Sequence, residues 1–62
     1  MLEFNTPYSA HYIGKPDFVN REEIHVIHIE ENKPYGIKVV TEDAEMPLAS
    51  INSIRRYWKI EE

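Results

Sequence analysis

Two runs rich in β-branched and aromatic residues dominate the pattern of apolar and polar positions. The runs are Ile24–Glu30 and Tyr35–Thr41, and the short segment Glu31–Pro34 separates them. Residues of these types are enriched in β-strands. A short connection with turn-forming residues between two such runs is typical of a hairpin. The pattern therefore predicts a β-hairpin that serves as the scaffold of the chain.

The two predicted strands differ in how their faces are patterned. In the second strand the apolar residues point to one side, which predicts an inward set of Tyr35, Ile37, Val39 and Thr41. In the first strand both sides are largely apolar, with Ile24, Val26 and His28 on one side and His25, Ile27 and Ile29 on the other. We therefore expect the first strand to be central and covered on both sides, with a bulge that swaps its faces midway as the alternative.

A helix is the alternative interpretation of the same region. The segment Asn20–Glu23 matches a capping box, which predicts a helix over Arg21–Glu31. However, four of the six residues in Ile24–Ile29 are β-branched and the other two are histidines. None of these is a strong helix former, so the strand is favoured.

Shorter elements are predicted on either side of the hairpin. The expected strands are Met1–Asn5, Ala10–Ile13, Glu45–Ala49 and Arg55–Ile60, with turns over Thr6–Ser9, Gly14–Asp17 and Glu42–Glu45 and one helical turn over Ser50–Ile54. Pro47 lacks an N–H group, which predicts an edge position for its strand. Helical spacing of Leu48, Ile51, Ile54 and Trp58 leaves a single helix over residues 47–60 as the alternative.

This order of elements predicts a single all-β domain over residues 1–62. Over about Phe18–Ile60 it resembles a small SH3-like five-stranded barrel, in which a one-turn 3₁₀ helix precedes the closing strand. A strongly bent antiparallel sheet with a short helical turn near residues 50–54 would fit the same pattern. The resemblance carries no signature residue, so no functional residue follows from it.

Composition narrows the classes of protein and of site. The chain has 62 residues, no cysteine and a net charge of −4, so disulfides and thiolate zinc sites are excluded. No apolar run approaches the roughly 20 residues of a membrane span, and the start of the chain lacks the pattern of a secretory signal. We therefore expect a cytoplasmic protein that does not bind membranes.

The polar residues do not form a catalytic or metal-binding motif. No nucleophile has a base beside it, and no glycine-rich phosphate loop is present. His25 and His28 lie three residues apart, which on a strand places them on opposite faces, where they cannot hold one ion. We therefore expect no enzyme activity, no cofactor and no metal, and we interpret both histidines as partly buried strand residues.

Two groups of residues remain as candidates for binding a partner. The first combines a loop-rich aromatic region with a basic and aromatic row near the end of the chain: Tyr8, His11, Tyr12, Arg55, Arg56, Tyr57 and Lys59. The second consists of acids that could steer a basic partner: Glu30, Glu31, Glu42, Asp43 and Glu45. Tyrosine and arginine are enriched at interface hot spots. As the only tryptophan, Trp58 is interpreted as the centre of the core.

The sequence thus favours a non-enzymatic protein–protein interaction module. It would bind a larger protein as an accessory, adaptor or inhibitory factor of the kind found in bacteria and phages. One alternative is a small nucleic-acid-binding barrel that uses the Arg55–Lys59 row, since bases interleaved with aromatic residues can hold a backbone and stack bases. A small homo-oligomeric structural subunit is the other.

Overall fold

The computed structural model describes residues 1–15 and 18–62, in which five antiparallel strands form one strongly curled sheet. The strands are β1 (Tyr8–Tyr12), β2 (His25–Glu31), β3 (Ile37–Val40), β4 (Glu45–Leu48) and β5 (Trp58–Glu61), and a 3₁₀ helix covers Ile51–Arg56. Their order across the sheet is β4-β3-β2-β1-β5. The predicted mainly-β fold, a small bent sheet with a short helical turn before its last strand, is confirmed.

The curl of the sheet originates in β2, which pairs with one neighbouring strand along its first half and with another along its second half. Its first residues pair with β1, where His25 lies opposite Ala10. Its last residues pair with β3, where His28 lies opposite Val40. β1 also pairs with β5 along its other edge. The sheet therefore wraps around a single interior as a half-barrel.

The interior is filled from the concave side of this half-barrel. The side chains that are almost fully shielded from solvent are Trp58, Ile27, Ile29, Ile54 and Val39. Burying each aliphatic side chain of this size contributes about 1.5–3 kcal/mol. The Trp58 indole is 1% exposed, and its ring lies edge-on to Tyr12 at a centroid distance of 5.2 Å. The interpretation of Trp58 as the centre of the core is confirmed.

The inward sets predicted from alternation are largely correct. His25, Ile27 and Ile29 are buried on β2, as are Ile37 and Val39 on β3. The two histidines accordingly face opposite sides of the sheet. Tyr35 is an exception, because it lies in the turn before β3 and is 87% exposed.

The expected cover on both sides of β2 is wrong. Ile24, directly before β2, and Val26, within it, are each 57% exposed. The first residues of the chain do not cross this face: Asn5 donates its backbone N–H to the Ile29 carbonyl at 2.8 Å, farther along β2. A chain of this size has enough material for one core only.

Two predictions for the first half of the chain are also corrected. Met1–Asn5 is not a strand, and the first strand begins at Tyr8 instead of Ala10, so the expected turn Thr6–Ser9 is partly strand. No helix forms over residues 21–31; the Asn20 side chain instead accepts the Glu22 backbone N–H at 2.8 Å within a turn. Of the predicted turn Gly14–Asp17, the last two residues lie outside the described part of the chain.

The end of the chain confirms the favoured prediction of a helical turn followed by a strand, with shifted bounds. The 3₁₀ helix is longer than expected and extends through Arg56, so the predicted strand from Arg55 is wrong at its start, and so is a single helix over 47–60. Ile54 explains the helix because it inserts into the core with no exposure, while the arginines that follow it point outward. β4 is an edge strand that contains Pro47, as predicted.

The hairpin between β2 and β3 depends on Gly36. This residue has φ of 84°, a left-handed conformation that favours glycine. A Cβ atom added at Gly36 would lie 2.5 Å from the Leu48 carbonyl oxygen of β4. Both the backbone conformation and the contact with β4 therefore require glycine at this position.

Candidate functional site

The pairing of β1 with β5 brings together the aromatic region and the basic row, the two parts of the first candidate group. His11 lies directly opposite Lys59, and Tyr12 lies opposite Trp58. Because neighbours along a strand point to opposite faces, His11 and Lys59 share the outer, convex face. Tyr12 and Trp58 share the inner face. The aromatic region and the basic row thus form adjacent strands, but their side chains divide between the two sides of the sheet.

The outer face of β2, β1 and β5 carries the surface that we call the outer patch. It consists of Ile24, Val26, Ser9, His11, Lys59 and Glu61. Val26 lies opposite Ser9 in the β1–β2 register, and Ser9 lies opposite Glu61 in the β1–β5 register. His11 follows Ala10, the partner of His25, on the side of Ile24. Neighbouring strands are about 4.8 Å apart, so these side chains form one continuous surface.

Exposed apolar side chains lie next to each other at this surface, whereas Met1, Phe4 and Tyr35 are exposed elsewhere. Ile24 and Val26 are each 57% exposed, and Ile13, one residue after β1, is 47% exposed. Exposed hydrophobic residues that are scattered singly need no explanation, whereas clustered ones mark interaction sites. The sequence analysis missed Ile24 and Val26 as surface residues. The available signal was a strand with two apolar faces in a chain too short to cover both.

The other half of the outer face is polar and internally paired. The Lys38 ammonium lies 3.6 Å from a carboxylate oxygen of Glu30 and 3.7 Å from one of Glu45. The other Glu30 oxygen accepts a hydrogen bond from His28. This bond, together with Lys38, holds the pKa of the Glu30 carboxyl below its usual value. Two of the predicted steering acids, Glu30 and Glu45, therefore already have partners within the chain.

A buried histidine, His25, lies on the inner side of the sheet between Ile24 and Val26. The His25 ring donates from Nε2 to the Asn20 carbonyl at 2.9 Å and from Nδ1 to the Glu42 carboxylate at 3.2 Å. Both nitrogens thus face oxygen acceptors, which only the doubly protonated ring satisfies. The bond to Asn20, reinforced by Glu42, raises the pKa of His25 above its ordinary value.

Glu42 completes this arrangement at the point where β3 turns away from β2. Its carboxylate pairs with His25, and the Glu42 backbone N–H together with this bond lowers the pKa of the carboxyl below its usual value. Of the remaining steering acids, Glu31 and Asp43 are exposed.

The predicted basic row is not continuous in the structure. The Arg55 guanidinium forms an ion pair with Glu62, which lowers the pKa of that carboxyl. Arg56 is exposed at the end of the 3₁₀ helix. Trp58 is buried, so it cannot stack on a base. Only Lys59 of this row belongs to the outer patch.

The remaining predicted tyrosines lie outside the outer patch. The Tyr8 hydroxyl accepts the Glu3 backbone N–H at 2.8 Å and so fastens the start of the chain. Tyr12 and Tyr57 line an open groove of about 310 Å³ next to β4, together with Phe18, Met46 and Leu48. This groove backs onto the core, because Tyr12 also contacts Trp58.

Neither a metal site nor a membrane-spanning helix is found in residues 1–15 and 18–62. No three histidine or acidic side chains of this part are close enough together to hold a metal ion. None of its helices has the length and apolar character needed to cross a bilayer. Comparison with family models, with curated proteins and with solved structures gave no match.

Proposed function

We propose that this protein is a protein–protein interaction module whose binding surface is the outer patch. The observation that carries the proposal is the exposure of Ile24 and Val26 on the central strand of the sheet, at 57% each. Their neighbours on the strand, His25 and Ile27, are buried. A partner that covers Ile24 and Val26 would provide the second layer that the chain itself does not supply.

The size of the molecule fits a binding role. A typical stable interface buries about 800 Å² on each partner. The accessible surface of this chain is 4382 Å², so such an interface would cover roughly a fifth of it. Aliphatic side chains at the centre with polar side chains around them is the usual composition of such an interface. Here His11, Lys59 and Glu61 would form part of the polar rim.

The two alternative functions have less support. Nucleic-acid binding would need stacking aromatic residues beside free bases. Trp58 is buried, and Arg55 is paired with Glu62. Self-association through the outer patch would bring its acidic surroundings face to face, which is unfavourable for like charges. We therefore propose an accessory or inhibitory factor without enzyme activity that acts on a larger protein in the cytoplasm.

A co-purification experiment with matched variants tests this proposal. The double variant Ile24→Ser/Val26→Ser removes the apolar centre of the outer patch. Tyr35→Ser removes an apolar residue that is even more exposed, at 87%, but lies in the β2–β3 turn. We expect a stoichiometric partner from the source cells to be recovered with the wild type and Tyr35→Ser, and lost with the double variant.

Two outcomes would contradict the proposal. One is recovery of the same partner with the folded double variant at the wild-type level. The other is recovery of the wild-type chain alone or only with copies of itself. Tryptophan fluorescence of Trp58 verifies that each variant is folded, because this residue is buried in the native state.

A further inference from the structure

We infer that the partner of the outer patch is a basic protein segment, in which aliphatic side chains are flanked by lysine or arginine. This inference rests on the proposed function and adds the chemistry of the partner.

Acidic side chains surround the apolar centre of the outer patch. Glu22 and Glu23 directly precede Ile24, and both are exposed. On the side of β3, the Glu42 carboxylate lies 3.2 Å from the ring of His25, the residue between Ile24 and Val26, and Asp43 follows it in the same turn. On the side of β5, Glu61 lies opposite Ser9, the strand partner of Val26. Glu42 is paired with His25, whereas the exposed Glu22, Glu23 and Asp43 leave excess negative charge beside Ile24 and Val26.

Several of the chain's cations are engaged elsewhere. Lys38 lies between Glu30 and Glu45, and Arg55 is paired with Glu62. Arg21 lies over the Tyr12 ring at 5.6 Å and donates to the Gly14 carbonyl. Lys59 is the one lysine of the outer patch, and it lies on the same face of β5 as Glu61, two residues away. The local charge around Ile24 and Val26 is therefore negative.

This charge distribution favours one kind of partner for the outer patch over another. A second copy of the chain would present the same acids, so the two outer patches would repel each other. A basic segment would gain attraction at the rim while its aliphatic side chains cover Ile24 and Val26. Since these two residues are two positions apart on an extended strand, they are about 6.6 Å apart. A segment with aliphatic side chains at a similar spacing fits them.

Selection of short random peptides displayed on phage, with the immobilised wild-type chain as target, tests the inference without assuming a partner. Binders retained by the Ile24→Ser/Val26→Ser variant are first removed. We expect the remaining peptides to be enriched in lysine and arginine next to valine, isoleucine or leucine. Their affinity should fall on the order of tenfold between 0.1 M and 1 M salt, as the Debye length shortens from about 10 Å to about 3 Å.

A pair of charge variants tests which acids of the chain attract a basic peptide. Glu22→Gln/Glu61→Gln neutralises two acids beside the outer patch, whereas Glu3→Gln/Glu31→Gln neutralises two exposed acids elsewhere and changes the net charge equally. We expect the first variant to weaken peptide binding several-fold and the second to leave it nearly unchanged. Equal effects of the two variants would overturn the inference, because the attraction would then reflect net charge alone.

The outcomes distinguish the inference from the proposed function. Neutral or acidic peptides that need Ile24 and Val26 but ignore salt would overturn the basic partner and leave the interaction module in place. If no peptide distinguishes the wild type from Ile24→Ser/Val26→Ser, both fall. A concentration-dependent dimer in sedimentation that this double substitution abolishes would identify a second copy as the occupant and would overturn the inference.

Discussion

Val26 and Ile27 are adjacent residues of β2 that lie in opposite environments: Val26 is 57% exposed on the convex face, and Ile27 is fully buried in the core. We therefore predict that Ile27→Ala lowers the free energy of unfolding by about 2–5 kcal/mol, because it leaves a cavity in the core. Val26→Ala should lower it by about 1 kcal/mol or less, the span of strand propensity. Urea denaturation followed by Trp58 fluorescence measures both values.

The comparison within this pair is its own control, since both substitutions remove β-branched residues from the same strand. Similar losses of stability for Val26→Ala and Ile27→Ala would mean that the outer face is covered within the chain. That result would also remove the basis for the outer patch as a docking surface.

The second prediction concerns the pH dependence of stability through His25 and Glu42. The pKa of His25 is raised above 6.5, so its contribution is complete below that pH and is lost as the pH rises through its folded-state pKa. The pKa of Glu42 is lowered below 4.5, so its contribution is present above that pH and is lost as the pH falls through its folded-state pKa. We expect these two groups to stabilise the fold most between about pH 4.5 and 6.5.

Urea denaturation at a series of pH values measures this effect, and the histidines provide the control. In His25→Gln the loss of stability above pH 6.5 should disappear, whereas His28→Gln should retain it because His28 lies on the outer face. A His25→Gln variant with the wild-type pH profile would show that the bonds of His25 to Asn20 and Glu42 do not stabilise the fold.

The third prediction concerns Gly36 in the β2–β3 turn. L-alanine at this position would adopt φ of 84° against its preference and place its Cβ atom 2.5 Å from the Leu48 carbonyl oxygen. We expect Gly36→Ala to lower the free energy of unfolding by about 1–3 kcal/mol. Thermal unfolding monitored by circular dichroism measures the loss.

Chemical synthesis of the chain with D-alanine at position 36 tests the two causes together. D-alanine accepts a positive φ, and its methyl group points away from the position of the L-residue's Cβ atom. It should therefore retain most of the wild-type stability. If the D- and L-alanine chains are equally destabilised, neither the backbone conformation nor the contact with Leu48 explains the glycine.

The fourth prediction concerns the accessibility of Trp58. Its indole ring is 1% exposed, and its N–H has no hydrogen-bond partner within residues 1–15 and 18–62. Acrylamide should therefore quench the fluorescence of the native chain only weakly. In the unfolded chain, where Trp58 is exposed, quenching should be efficient. Added single-stranded DNA should leave the emission unchanged, since a buried ring cannot stack on a base. Efficient quenching of the native chain would contradict the burial of Trp58.

Local pattern was sufficient to predict the hairpin, but not which faces are covered. Alternation identified Ile37 and Val39 as inward because their strand has one apolar and one polar side. For β2 it gave two apolar sides, and we expected cover on both. An exposed Val26 and a buried Ile27 have the same β-branched chemistry, so only the arrangement of the whole chain distinguishes them.

The candidate site depends on contacts that local sequence cannot supply. His11 and Lys59 were both candidates, yet their direct pairing joins the beginning and the end of the chain. Trp58 was assigned to the core from its rarity and size, but the 3₁₀ helix that carries Arg55 and Arg56 outward was predicted too short. The insertion of Ile54 into the core decides its length, and this is a tertiary contact.

The pairing of β1 with β5 also has a consequence for how the chain is made. Most of the sequence, residues 13–57, lies between Tyr12 and its strand partner Trp58, which gives the fold a high contact order and predicts slow folding. Until β5 has been synthesised, a nascent chain exposes one unpaired edge of β1 and lacks Trp58, the central side chain of the core. Premature termination before Trp58 would therefore leave a product prone to aggregation and proteolysis.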